Sequence, residues 1–244
     1  VSGILAGHHW TPQQSEFDAF AALSGDDNPI HIDADYAARH PFGARVSHGM
    51  LIWARLHALT KSAGVTLPPA LTLQFPAPAY AKEPLDLSLS RDSARATRSD
   101  GTAVCEIRWE EPVPQVPPPA LPQSAEIRRS LSPADIAAFA ALSGAAPALE
   151  GVPEPLIGAL FSCLLGSRLP GPGTGWLRQR LHFHAKARVN EPLYASVRLS
   201  RIRPEKRLAD LECLCIGQND RMICTGSALM LLAPGDRLLF SSEP

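Results

Sequence analysis

The sequence predicts an α+β protein in which one unit is built twice: two antiparallel sheets, each wrapped around a long central helix, related by a pseudo-two-fold. Three observations carry this expectation. The hexapeptide Phe20-Ala21-Ala22-Leu23-Ser24-Gly25 recurs letter for letter as Phe139-Ala140-Ala141-Leu142-Ser143-Gly144, and Glu83-Pro84-Leu85 recurs as Glu191-Pro192-Leu193. Repetition on this scale marks a duplicated domain. Each copy holds one long apolar stretch of helical length, residues 49–61 and 155–168. Each then breaks into apolar segments of strand length separated by turn residues.

In chain order, each copy opens with a short strand. A helix follows at a capping residue before proline, Thr11-Pro12 in one copy and Ser132-Pro133 in the other. A loop leads to the long helix. Strands are expected at 71–75, 85–90 and 103–109, and again at 177–183, 193–201, 208–215 and 222–232. Asp100-Gly101 and Asn219-Asp220 suit hairpin turns. The two anchors are offset by 119 and 108 residues, so the second copy has lost a segment between them. The first copy is shorter after its Glu-Pro-Leu anchor, which predicts a short or missing strand there. Six prolines fall within 110–123, too many for a helix or a sheet ladder, and they define a semi-extended linker. The expected division is 1–111, a linker at 112–123, 124–232, and a tail at 233–244.

The chain has 244 residues, 45% of them hydrophobic, enough for two small cores. A net charge of -1 supplies no broad basic field, which argues against nucleic acid and anionic membrane as partners. The five cysteines, Cys105, Cys163, Cys213, Cys215 and Cys224, match no zinc or redox spacing and read as buried small hydrophobes in a reducing compartment. The first residues lack the charged start and apolar run of a signal peptide, and nothing approaches the ~18 apolar residues of a membrane span. A cytoplasmic protein is expected.

The chemistry concentrates in Ser24-Gly25-Asp26-Asp27-Asn28-Pro29-Ile30-His31. Asp, Asn and Pro make ordinary turns. What singles this turn out is His31 five residues after Asp26, with Asn28-Pro29 fixing the backbone between them. A carboxylate and an imidazole on one rigid loop can hold a water, and histidine exchanges protons near neutrality. Downstream, Val46-Ser47-His48-Gly49-Met50 opens the long helix. Gly49 there either permits close packing or lets a ligand reach free N–H groups at the positive end of the helix dipole.

These residues resemble the MaoC-like (R)-specific enoyl-CoA hydratases (hydratase type 2), whose signature combines Phe-x-x-x-(Ser/Thr)-x-Asp-x-Asn-Pro-hydrophobic-His with a later His-Gly-(Met/Leu) helix start. Phe20, Ser24, Asp26, Asn28, Pro29, Ile30, His31, His48, Gly49 and Met50 fill it. The resemblance covers about residues 10–110 directly. It implies a double hot-dog fold, no cofactor and no metal, and an acyl-CoA or acyl-carrier-protein thioester as substrate. It also implies Asp26 and His31 as the acid/base pair, Asn28 and His48 as orienting or substrate-binding residues, and Gly49 as the oxyanion-hole N–H.

With the offset of 119, Ala145, Pro147 and Glu150 stand where Asp26, Asn28 and His31 would be, and Glu154-Pro155 is expected in place of His48-Gly49. The second copy therefore reads as a non-catalytic hot-dog that completes a pseudo-dimer and part of the substrate tunnel. Family likeness places Ser162 across the interface from the active loop, with His57 as its counterpart in the first copy. His182 and His184 alternate on a strand without an acidic or cysteine partner, so a groove-lining pair is expected rather than a metal site. Arg39, Arg45, Lys61, Lys82, Arg178, Arg180 and Arg188 are candidates for meeting a CoA or pantetheine phosphate. The activity implied is reversible syn hydration of trans-2-enoyl thioesters, as a monomeric pseudo-dimer or a homodimer. The rivals are a dehydratase acting on carrier-bound chains in polyketide or fatty-acid synthesis, a hot-dog thioesterase, and a non-catalytic acyl-binding protein.

Overall fold

The computed structural model describes residues 3–111, 123–146, 151–236 and 238. The first half runs β1 (Ala6–Trp10), α1 (Gln14–Ser24), α2 (Pro29–Ile32), α3 (Ala34–Arg39), α4 (Gly49–Ser62), β2 (Ala70–Gln74), β3 (Leu85–Leu89), β4 (Ser93–Arg98) and β5 (Ala103–Glu110). The second runs β6 (Ser124–Arg129), α5 (Pro133–Ser143), α6 (Glu154–Ser167), β7 (Gly175–Phe183), β8 (Leu193–Arg203), β9 (Leu208–Ile216) and β10 (Met222–Leu231). The proline-rich segment 112–122 lies outside the described residues, as do Pro147, Glu150 and most of the expected tail.

The two expected sheets merge into one. All ten strands pair antiparallel in the order β1-β3-β4-β5-β2-β7-β10-β9-β8-β6, which reads the same from either edge once the halves are exchanged. The seam is β2 against β7, with Thr72 opposite Arg180. The missing strand is not missing. Among the described residues each half has five strands, and the first half's are shorter: β3 has five residues where β8 has eleven. The segment overlooked in the sequence is β4, Ser-Ala-Arg-Ala-Thr-Arg, whose buried positions are alanines too small to signal an apolar face.

Local chemistry sets the helix starts. Ser132 caps α5 as expected, accepting from the Asp135 N–H at 3.2 Å while the Asp135 carboxylate accepts from the Ser132 N–H at 2.7 Å. The first copy starts three residues after Thr11, at Gln14. There the Glu16 carboxylate accepts from the Gln13 N–H at 2.6 Å, and the carbonyl of Pro12 is occupied by the Lys82 N–H at 2.7 Å. The hairpins close at Asp100-Gly101 and at Asn219-Asp220, the last two both at positive φ.

α4 and α6, fourteen residues each, pack against one another and against the sheet. Matching their first residues superposes position n of α4 on n + 105 of α6, which pairs Trp53 with Gly158. The two meet: a Cβ on Gly158 would lie 2.7 Å from the Trp53 ring and 2.6 Å from Met50 Sδ. The indole fills the space its counterpart leaves empty, as close-packed interiors require. A second enforced glycine is Gly226 on β10, where a Cβ would collide with the Arg180 carbonyl oxygen. Gly226→Ala is expected to destabilise the fold by about 1–3 kcal/mol through overpacking, read as a lowered midpoint in urea.

The five cysteines are free and buried, and burial pushes the Cys213 and Cys215 thiols up to about 12, so both stay protonated. Among the described residues no helix is long and apolar enough to cross a membrane.

Candidate active site

The loop after α1 is shaped by three local devices. Gly25 ends the helix in the left-handed region, φ 78°, with its N–H on the Ala21 carbonyl. The Ser24 hydroxyl accepts from the Asp26 N–H at 3.1 Å. Asn28 caps the single turn α2, its Oδ1 accepting from Ile30 N at 3.4 Å, with Pro29 in the first helical position. This turn swings His31 back toward Asp26. Both side chains are almost wholly buried, at 2% and 7% exposure.

His31 Nδ1 lies 2.8 Å from the Val46 carbonyl oxygen. A carbonyl only accepts, so Nδ1 carries the proton and the Nε2 lone pair is left for chemistry. Behind it, His48 donates from Nε2 to the Asp26 carbonyl at 3.0 Å and stacks on His31 at 3.7 Å between centroids. His48 is fully buried and does not line the cavity, so it backs the pair rather than touching a ligand.

Burial is the largest influence on all three groups. It raises the Asp26 carboxyl above the usual carboxylate range, against the opposing pull of His31 and the Ser162 hydrogen bond. It lowers His31 despite the Asp26 charge, and it lowers His48 far further with His31 adding to the effect. Desolvation thus favours neutral forms throughout, the setting in which a proton can be exchanged near neutrality.

The second half holds this loop from across the seam. Ser162 Oγ donates to Asp26 Oδ2, Cys163 Sγ to the Gly25 carbonyl at 3.1 Å, and Ser167 Oγ to Asp27 Oδ1 at 2.9 Å. The Gly173 N–H reaches Asn28 Oδ1 at 3.5 Å. Gly166 sits so close that a Cβ there would be 2.6 Å from Asp26 Oδ1. The Ser162 contact was expected; Cys163, Ser167 and Gly173 carry no motif, and only the packing reveals them.

Asp26, Asn28, His31, Gly49 and Ser162 all line one cavity of about 180 Å³, walled by Phe42, Phe75, Trp176, Leu165 and Ile52. Gly49 is forced by close packing and also leaves a helix-start N–H beside the cavity. A Cβ would lie 2.6 Å from the Phe75 ring, and as the first residue of α4 its N–H has no acceptor within the helix.

Asp26, His31 and His48 also lie close enough together for one metal ion. Their arrangement does not suit ligation: the imidazoles are stacked at 26°, so their in-plane lone pairs do not converge, and two of the four ring nitrogens are already hydrogen-bonded. His184 Nε2 is taken up by Thr225 Oγ1 at 2.8 Å, with the His182 ring tilted against it at 4.0 Å between centroids.

In the second half the helix start requires a correction. Glu154, not Pro155, occupies the first helical position equivalent to Gly49, and Pro153 takes the place of His48. The first N–H of α6 is therefore retained. What replaces the glycine is a carboxylate, and its Oε2 lies 2.9 Å from His57 Nε2.

Residues 6–103 match the MaoC like domain family. A 3-hydroxybutyryl-CoA dehydratase of Methylorubrum extorquens is 38% identical over 71 residues, which is 29% of this chain and 45% of that protein. The chain thus spans less than half the length of that relative. An (R)-specific enoyl-CoA hydratase of Aeromonas caviae is 33% identical over 124 residues, 45% of this chain and 92% of that protein. Among solved structures, a MaoC-like dehydratase superposes with a TM-score of 0.74 at 12% identity, covering 93% of this chain and 98% of the other. A conserved hypothetical protein of Mycobacterium tuberculosis, described as having a double hotdog fold, superposes at 0.66 with 13% identity over 94% and 96% of the two chains. The fold is a double hot-dog, and the chain belongs to the MaoC-like dehydratase domain family.

Proposed function

We propose that the protein is a hydro-lyase that adds water syn across the C2–C3 bond of trans-2-enoyl-CoA thioesters to give (R)-3-hydroxyacyl-CoA, and catalyses the reverse dehydration. The observation that carries this reading is a buried Asp26–His31 pair, with His31 Nε2 unencumbered, sharing a cavity with the first N–H of α4. The thioester carbonyl is polarised by the Gly49 N–H, where the helix dipole favours the negative charge of an enolate. Asp26 and His31 hold one water against one face of the double bond. Its oxygen bonds to C3 as the pair takes one proton, and that proton is returned to C2 on the same face, leaving the pair as it began. Such a pair titrates as a unit. The names of the Methylorubrum and Aeromonas relatives support thioesters of 3-hydroxy and enoyl acids as the substrate class.

The test is loss of enoyl-thioester absorbance with crotonyl-CoA and longer enoyl-CoAs, and chiral analysis of the product. The expected product is the (R)-3-hydroxyacyl thioester. No turnover on any CoA-bound or carrier-bound enoyl substrate would sink the proposal.

A pH profile probes the pair. If Asp26 must be ionised, activity is lost as pH falls through its raised pKa, so the acid limb lies above the ordinary carboxylate range. Ser162 donates to the ionised form and holds that pKa down. Ser162→Ala is expected to shift the acid limb to higher pH. It should also slow turnover by about tenfold or more, the scale of one hydrogen bond to a charged group. An acid limb unmoved in this variant would remove Ser162 from the mechanism.

A further inference from the structure

The pseudo-two-fold carries the active-site cavity onto a second one in the other half. With helix positions matched by 105, Ser162 maps to His57, Gly166 to Lys61, Gly49 to Glu154 and Ile52 to Ile157. All four counterparts line a cavity of about 670 Å³, several times the roughly 180 Å³ at Asp26–His31. Its volume falls in the range of about 300–1,000 Å³ usual for small-molecule sites. A copy that had merely lost its chemistry could have packed this space with side chains. The walls are instead apolar, formed by Trp53, Leu71, Ile157, Phe183 and Ile223.

The polar groups at this cavity have been replaced as a set. The Glu154 carboxylate and the His57 imidazole pair at 2.9 Å, and His57, 6% exposed, has no hydrogen-bond partner at Nδ1 among the described residues. Burial alone would raise the Glu154 carboxyl, but the hydrogen bond and charge of His57, with Lys61 adding, hold it down to about 2. Glu154 carries a carboxylate paired with His57 where Gly49 has no side chain, so the two helix starts differ in what they present to a ligand. Lys61, which replaces Gly166, is exposed at the rim and makes no salt bridge among the described residues. The site thus presents a largely apolar chamber with two lysines, Lys61 and Lys186, among its lining residues.

We propose that this cavity is a second, non-catalytic binding site for a medium-chain fatty carboxylate, with its chain against the Trp53–Phe183 wall and its carboxylate beside Lys61. The proposal stands apart from the hydration chemistry, because calorimetry reads binding even where no enoyl thioester turns over. Octanoate is titrated into the full chain, with octanoyl-CoA in a parallel arm. Binding of one octanoate per chain is expected, persisting when crotonyl-CoA fills the active site. Lys61→Glu places like charges together and should weaken octanoate by about tenfold or more. Ile223→Trp fills the chamber and should abolish binding without changing the rate on crotonyl-CoA. Because Lys61 is exposed, its variant keeps the test alive if the tryptophan variant fails to fold. The proposal falls if octanoate does not bind, if crotonyl-CoA displaces it, if Lys61→Glu leaves binding unchanged, or if octanoyl-CoA binds this cavity and octanoate does not.

Discussion

Asp26→Asn and His31→Ala are each expected to lower kcat by about 10²–10⁴-fold, the usual scale for removing a general acid or base. Both act in the chemical step, so kcat and kcat/KM should fall together while KM changes little. The asparagine variant is the cleaner of the two. It keeps the shape of the side chain and a polar oxygen for the Ser162 hydroxyl, while removing the charge that shares a proton with His31. The alanine variant also frees the Val46 carbonyl and takes away the ring on which His48 stacks, so its folding must be checked by circular dichroism alongside the kinetics. Losing both members should cost little more than losing one, since groups that work as a unit are strongly non-additive. Unchanged turnover in the two single variants would overturn the site.

Gly166→Val should cost about 10²-fold in kcat although residue 166 lies in the half that lacks Asp26 and His31. Its Cβ would meet Asp26 Oδ1 at 2.6 Å and the Asp26 carboxyl carbon at 3.3 Å, with Asn28 Cβ at 3.4 Å. The carboxylate must move, and displacing a reacting group by about 1 Å is enough for a loss on this scale. The kcat loss should come without a matching loss of fold, visible as a cooperative thermal transition. Gly158→Val is the contrasting case, since it clashes with Trp53 and Met50 in the core and should act on stability. A Gly166→Val enzyme with full activity would mean that α6 does not set the position of Asp26.

Much of this was legible in the sequence. The repeated hexapeptide announced two equivalent helices, and both end at their glycine in the left-handed conformation. The long helices fell within a residue of their expected bounds because their apolar runs are continuous and start after loop residues. Asp26, Asn28 and His31 could be found because local turn chemistry alone brings them together. Where the sequence misled, the deciding contact was distant. The start of α1 depends on a Glu16 carboxylate and on Lys82, some seventy residues beyond Pro12. β4 hides because alanines serve as its buried face. The exchange of Gly49 for Glu154 was misplaced by one residue, since only the observed helix start fixes that register. Ser167 and Gly173 gave no signal, because their role exists only where the two halves meet.

The Trp53–Gly158 contact sets a limit on the ancestry of the molecule. Two identical first halves, paired as these halves are, would bring one indole against another where now an indole meets bare backbone. Two second halves would leave a hole there instead. Neither half can stand in for its partner at this contact, so a pair of first halves would not reproduce this interior. Whatever selection acts on the second half, it must keep at least this one vacancy.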